Sequence, residues 1–243
     1  MLKNLCITPK LINRQIEYAY SRCFVLQPER IFEGVYKIGG KIATLNLTPG
    51  KRAYSEEIRE IDGREYRLWN PYRSKLSAAI AIGLKNFHFK KDENILYIGA
   101  ATGTTASHIS DIVVDGRIYC IEMSERNMRE LVKVCESRPN MLPILADASE
   151  PERYSDYIET CDVIYQDASA REQAKLLLLN SRFLKRGGYA YFIIKSQSID
   201  ISKKPKEVFA GELRLLMNDF DIIEEMSLNP YDQMHLFSVL KKR

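Results

Sequence analysis

Two hydrophobic textures divide the chain. From residue 24 to about residue 68, apolar positions come in short runs that alternate with polar ones, as in Gly34-Val35-Tyr36-Lys37-Ile38 and Lys41-Ile42-Ala43-Thr44-Leu45-Asn46. Gly39-Gly40 between these runs predicts a two-residue hairpin turn. Thr48-Pro49-Gly50 breaks the next connection, and Asp62-Gly63, flanked by the runs 57–61 and 65–68, is a second hairpin signal. The expectation is a small antiparallel β domain over residues 23–68. Residues 1–22 are polar and mixed, with a short helix predicted over 9–20, and form an N-terminal extension that carries no motif.

The texture changes after Trp69-Asn70-Pro71-Tyr72-Arg73. A helix is predicted over 74–84 with Ser74 as its cap, and five strand candidates (94–98, 117–121, 141–146, 162–166, 189–194) then alternate with helices over 104–112, 125–136, 171–183 and 206–217. Repeated βα units of this size imply a parallel sheet with helices on both faces. The run Asn94-Ile95-Leu96-Tyr97-Ile98 stays apolar without alternating, which suits a strand buried on both sides. The end differs: strands over 220–227 and 235–240 are joined only by the turn Asn229-Pro230-Tyr231-Asp232, so they must run antiparallel. By fold analogy, a parallel α/β sheet closed by an antiparallel hairpin strand is the layout of S-adenosylmethionine-dependent methyltransferases, assigned here to residues 69–243.

The first strand of that sheet runs into Gly99-Ala100-Ala101-Thr102-Gly103-Thr104-Thr105. Gly99 and Gly103 allow a sharp turn and close approach of a ligand, and Thr104 and Thr105 are candidate caps for the next helix. The spacing is Gly-x-x-x-Gly and lacks the third glycine of a dinucleotide fingerprint, which weighs against NAD and FAD. Ligands of open α/β sheets bind outside the carboxyl ends of the strands. Glu122, Asp147, Asp167 and Lys195 close four of the strands, and His235, which opens the antiparallel last strand, falls at the same edge. Glu122 follows the glycine turn by about 20 residues, where an acidic side chain can bond ribose hydroxyls.

Composition narrows the picture modestly. Hydrophobic residues make up 45% and charged residues 28%, ordinary for a soluble globular protein, and no apolar run approaches a membrane span. The opening residues carry no apolar signal core, so the expected location is cytoplasmic. Five scattered cysteines, Cys6, Cys23, Cys120, Cys135 and Cys161, form no C-x-x-C pair and read as reduced thiols, with Cys120 and Cys161 as core residues. Three histidines without metal-ligand spacing predict no metal site. The net charge of +4 is a mild excess, but Lys and Arg cluster at Lys51-Arg52, Lys90-Lys91, Lys203-Lys204-Pro205-Lys206 and Lys241-Lys242-Arg243.

Four stretches together resemble the fibrillarin family, in particular the archaeal fibrillarin-like RNA 2′-O-methyltransferases. They are residues 43–50 (Ala-Thr-Leu-Asn-Leu-Thr-Pro-Gly), Trp69-Asn70-Pro71-Tyr72-Arg73-Ser74-Lys75-Leu76, the glycine turn from Gly99 to Thr105, and Asn229-Pro230-Tyr231 before His235. The resemblance spans residues 24–240. It implies a catalytic tetrad of Lys75, Asp167, Lys195 and His235. It also implies S-adenosylmethionine as methyl donor, held by Gly99, Ala100, Ala101, Thr102, Gly103, Thr104, Thr105, Glu122, Met123, Asp147, Ala148 and Asp167. The family's Asp-Val-Ala-Gln reads Asp167-Ala168-Ser169-Ala170 here, so one expected cofactor contact is missing; Gln166 or Gln173 could substitute.

The implied reaction is methylation of a ribose 2′-hydroxyl in rRNA, tRNA being a further candidate. A weak nucleophile must lose its proton while attacking an activated methyl group, so geometry and proton removal dominate. Lys195 is the expected base, Asp167 would orient it, and Lys75 and His235 would position the hydroxyl and the neighbouring phosphate; the two lysines could exchange these roles. Nothing in the chain resembles a base-reading module. The family solves this with a box C/D guide RNA, a Nop-family scaffold protein and a kink-turn-binding ribosomal-type protein, which implies RNA contact through backbone and shape. The competing readings are a methyltransferase of the same fold acting on a protein side chain, and a donor-binding scaffold subunit without turnover.

Overall fold

The computed structural model describes residues 27–243. The helix expected over 9–20, Cys6 and Cys23 lie outside the described residues. Two sheets organise the rest. The first has five antiparallel strands, β1 (Glu29–Phe32), β2 (Val35–Ile38), β3 (Lys41–Leu45), β4 (Ile58–Ile61) and β5 (Arg64–Leu68), in the order β1-β2-β3-β5-β4. Both predicted hairpins form, because Gly39-Gly40 and Asp62-Gly63 each supply the two consecutive positive φ angles such a turn needs. The hydrophobic pattern does not predict β1, a half-exposed edge strand that buries too little apolar surface to leave a pattern.

The second sheet has seven strands, β6 (Asn94–Ile98), β7 (Arg117–Glu122), β8 (Met141–Leu145), β9 (Cys161–Gln166), β10 (Leu184–Lys195), β11 (Phe220–Ser227) and β12 (His235–Lys242), ordered β11-β12-β10-β9-β6-β7-β8. β6 to β10 are parallel, and β12 runs antiparallel between β10 and β11. The helices are α1 (Lys75–Ile82), α2 (Thr104–Ile112), α3 (Glu125–Cys135), α4 (Gln173–Asn180), the short α5 (Ser196–Ile199) and α6 (Pro205–Leu216). Ile95 and Tyr97 face one core, Leu96 and Ile98 the other, which is why β6 shows no alternation. Ser74 caps α1 as expected, accepting from the Ser77 N–H at 3.4 Å. Neither Thr104 nor Thr105 caps α2. Gly103, with φ 85°, occupies the cap position, and Thr105 Oγ1 donates instead to Ser74 Oγ at 2.9 Å, tying α2 to α1. The helix expected over 171–183 stops at Asn180, whose side-chain amide donates to the Ala148 and Leu176 carbonyls, and continues as a single 3-10 turn. Cys120 and Cys161 are fully buried, and burial raises both thiols well above their ordinary range.

The two sheets meet through α2 over a lattice of buried charge. Arg67 of β5 donates to Glu56 Oε1 at 2.7 Å and to Asp111 Oδ2 at 2.6 Å, and Arg138 donates to Asp111 Oδ1 at 2.7 Å. All four side chains are fully buried, two cations against two anions. Burial works against the Glu56 carboxylate, but the Arg67 charge and the Ala53 N–H hold its pKa below the usual value. His108 sits beside this lattice, stacked on Trp69. Thr44 Oγ1 donates to Asp111 Oδ2 at 2.6 Å, so it must accept from His108 Nδ1 at 2.8 Å, and Nε2 accepts from the Tyr54 hydroxyl at 2.7 Å. Burial, then the charges of Arg67 and Arg138, push the His108 pKa well below its ordinary value.

Acid should therefore weaken the fold from that site. As the pH falls through about 6.5 the unfolded chain takes a proton that folded His108 refuses, so stability drops by at most about 1.4 kcal/mol per pH unit until the depressed folded pKa is reached. The thermal midpoint is expected to fall between pH 7 and pH 5, and less steeply in a folded His108→Asn variant. An equally steep fall in the variant would assign the effect to other groups.

Candidate active site

The glycine turn between β6 and α2 is shaped by its neighbours on both sides. Gly99 has φ 79°, and a Cβ there would lie 2.9 Å from the Asp167 carbonyl oxygen and 3.0 Å from Ala168 Cα. Only glycine lets the turn pack against the end of β9. Ala101 also adopts a positive φ, 49°, an uncommon conformation for a residue with a side chain. Its N–H is thereby aimed at Glu122 Oε2, 2.8 Å away, while Oε1 accepts from Ser124 N–H at 2.8 Å. Glu122 is so fixed between two loops at the end of β7.

A cavity of about 670 Å³ opens at this sheet edge. Of the residues expected to hold a donor, Gly99, Ala101, Glu122, Met123, Asp147, Ala148 and Asp167 line it, as does Lys195. Ala100 is buried behind the turn, and Gly103, Thr104 and Thr105 belong to the start of α2. Thr102 faces a different, smaller hollow with Arg52, Tyr54 and Lys133. The structure adds Asn127, Ser149 and the apolar Ile121, Ala146, Leu176 and Leu179 to the lining, positions that carry no local sequence signal.

At the mouth of the cavity, two lysines from separate segments converge on Asp167, with Asp232 and His235 beside them. Lys75, the first residue of α1, donates from Nζ to Asp167 Oδ2 at 3.1 Å. Lys195, the last residue of β10, donates to the Asp167 carbonyl at 2.8 Å and to Ser169 Oγ at 3.2 Å, and its Nζ lies 2.9 Å from Oδ1. The buried Oδ1 is thus ion-paired with Lys195 but meets no hydrogen-bond geometry among the described residues. His235 faces Lys195 across the β10–β12 ladder, as the antiparallel last strand requires. It does not touch Asp167; Asp232 bridges the gap, bonding His235 Nδ1 with one oxygen and lying 3.7 Å from Lys75 Nζ with the other. In the sequence Asp232 reads only as a turn residue. A carboxylate three positions before a histidine, in a proline turn, was the available signal.

Ser77 Oγ donates to the Trp69 carbonyl at 2.6 Å and the Arg73 guanidinium lies over Tyr54, 4.7 Å from the ring centroid, so the 69–74 segment fixes where α1, and hence Lys75, begins. Neither candidate for the missing glutamine replaces it. Gln166 is buried and donates to the Gln173 carbonyl at 2.8 Å, while Gln173 donates to the Ala170 carbonyl and accepts from Lys195 N–H at 2.9 Å. Both side chains are buried and turned to the loop and Lys195, and the wall at Ala170 continues instead through Arg171, Glu172 and Lys175.

The fibrillarin family profile matches residues 26–243. The chain belongs to the fibrillarin family. A fibrillarin-like rRNA/tRNA 2′-O-methyltransferase of Pyrococcus furiosus is 49% identical over 218 residues, covering 87% of this chain and 96% of that protein. The crystal structure of Aeropyrum pernix fibrillarin with natively bound S-adenosyl-L-methionine superposes with a TM-score of 0.78 at 43% identity, over 85% of this chain and 92% of that one. A fibrillarin/Nop5p complex contains a chain matched with a TM-score of 0.82 at 36% identity, over 88% of this chain and all of that one. The layout of both sheets is thus the family's. Among the described residues no group of His, Cys, Asp and Glu could hold a metal ion, and no helix is long and apolar enough to cross a membrane.

Proposed function

We propose that this protein transfers the methyl group of S-adenosylmethionine to ribose 2′-hydroxyls of rRNA and tRNA, directed by a box C/D guide RNA in a particle with a Nop-family scaffold protein and a kink-turn-binding protein. The junction of Lys75, Asp167 and Lys195 at the mouth of the cavity carries this reading. The names of the curated relatives support the reaction, the donor bound to the Aeropyrum pernix protein supports the cofactor, and the Nop5p complex supports the scaffold. Guide-programmed RNA, labelled donor and the reconstituted particle test it. Failure to label the paired nucleotide, with a folded protein, overturns it.

The residues present suit the donor. The cradle at Gly99 tolerates no Cβ, and the Asp167 carboxylate in the cavity wall suits a cationic group. Glu122 would bond the ribose hydroxyls, Asp147 and Ala148 would face the base, and Gly99, Ala101 and Met123 would close the pocket. When bound, S-adenosylmethionine supplies an electrophilic methyl group. The protein's own share is positional and electrostatic. Lys75 and Lys195 hold Asp167 from either side, and their charges suit the neighbouring phosphate and the hydroxyl oxygen. Both ammonium groups donate to oxygens of Asp167, so this geometry favours donor roles for both lysines over the role of base expected for Lys195.

Much of the clustered basic charge is already engaged: Lys91 pairs with Asp115, Lys203 with Asp200, and Lys242 turns inward to the Ser181 and Leu184 carbonyls. Lys51 and Arg52 stay exposed. A guide RNA held by partners removes the need for a stronger basic surface.

Gly99→Ala is expected to weaken donor binding by about tenfold or more, because the added methyl must push the turn off the end of β9 and costs about 1–3 kcal/mol of backbone strain. Calorimetric titration with S-adenosylmethionine measures this. An unchanged affinity would place the donor elsewhere.

A further inference from the structure

The Asp232 carboxylate sits between Lys75 and His235 without touching Asp167. Resting on the proposed function, we propose that Asp232 is a positioning residue that fixes the tautomer of His235, and that His235 Nε2 takes the proton of the attacking ribose hydroxyl. His235 Nδ1 faces Asp232 Oδ1 and, at 2.9 Å, the Gln233 carbonyl. Both oxygens only accept, so Nδ1 must carry the hydrogen and the lone pair of the neutral ring lies on Nε2. Nε2 makes no hydrogen bond among the described residues, and the side chain is 22% exposed, open to a substrate.

The other nitrogens of the site are committed differently. Lys75 and Lys195 direct hydrogens at oxygens of Asp167, whereas Nε2 is an acceptor without a donor. Asp232 is itself held. Its N–H donates to the Leu228 carbonyl at 3.0 Å, and Tyr231 packs edge-on against Tyr72, in the segment that leads into α1. Ser196 pins the loop to the end of β10, its N–H and hydroxyl both donating to the Met234 carbonyl.

The step balances. The hydroxyl hydrogen moves to Nε2 as the oxygen bonds the methyl carbon, and the methyl–sulfur bond breaks with its electron pair left on sulfur, neutralising the cation. The new imidazolium is compensated by Asp232 and releases its proton to solvent.

Two measurements on the full-length protein test this. In the free protein, nitrogen-15 shifts of His235 should show the Nδ1–H tautomer, with loss of that preference in Asp232→Asn and its recovery in Asp232→Glu. In the reconstituted particle under single turnover, Asp232→Asn and His235→Gln should each slow methylation by about 10²-fold or more. Asp232→Asn should add less than about threefold in a His235→Gln background, since residues acting through one another are not additive. An Nε2–H tautomer in the wild type, or full additivity of the two substitutions, overturns the proposal. Absence of methylation by the wild-type particle would instead overturn the proposed function, leaving the tautomer measurement standing.

Discussion

Replacing Asp167 with alanine is expected to slow single-turnover methylation by on the order of 10³-fold while the fold survives. The carboxylate contacts both Lys75 and Lys195, so its removal leaves two ammonium groups facing a gap, with Asp232 beside Lys75 alone. Lys75 then keeps only the more distant Asp232 carboxylate and Lys195 only the residue-167 carbonyl and Ser169, so the charge arrangement on which an in-line displacement depends is lost. Asp167→Asn keeps the size but not the charge and should fall nearly as far. Lys195→Ala should cost about 10²-fold or more, since the lysine also bonds the Asp167 carbonyl and Ser169. The check is a rapid-quench assay in the particle, with circular dichroism to certify folding. Near-normal rates in both well-folded variants would remove this cluster from the chemistry.

The largest loss of stability is expected at Asp111, far from the reaction. Its two oxygens receive Arg67 and Arg138, each fully buried. Asp111→Ala strands two guanidinium groups with only Glu56 left to balance them. Breaking a buried pair in this way costs about 3–5 kcal/mol. In a protein of this size that lowers the thermal midpoint by on the order of 10 °C. Scanning calorimetry measures it. A drop of only a degree or two would mean that water reaches the lattice. The substitution should leave donor affinity largely intact at temperatures where the protein is folded, because the lattice lies behind α2 and not on the cavity.

The contrast between these two sites explains what was legible. Asp167 and Lys195 end strands, and the rule that ligands bind at the carboxyl edge of a parallel sheet singled them out without any side-chain information. Glu122 was legible for the same reason. Lys75 was not, since it precedes the sheet and enters through the position of α1; only the family resemblance pointed to it. Arg67 looked like the polar member of an alternating hairpin strand, yet it points into the protein. Its partner Asp111 lies 44 residues away, and Arg138, the second donor to Asp111, lies 27 residues beyond that, and no periodicity marks such a pairing.

By itself the sequence determined the two sheets, the order of their elements and the chemistry available at one edge. These depend on local periodicity, on glycine at turns and on strand ends, all of which are written along the chain. Tertiary structure decided the rest. It turned Gln166 and Gln173 inward as supports, drew Asp232 between Lys75 and His235, and let Gly103 rather than a threonine cap α2. Side-chain direction and partner choice depend on which distant segments arrive within about 3 Å of each other, and hydrogen-bond reach is too short for sequence spacing to predict.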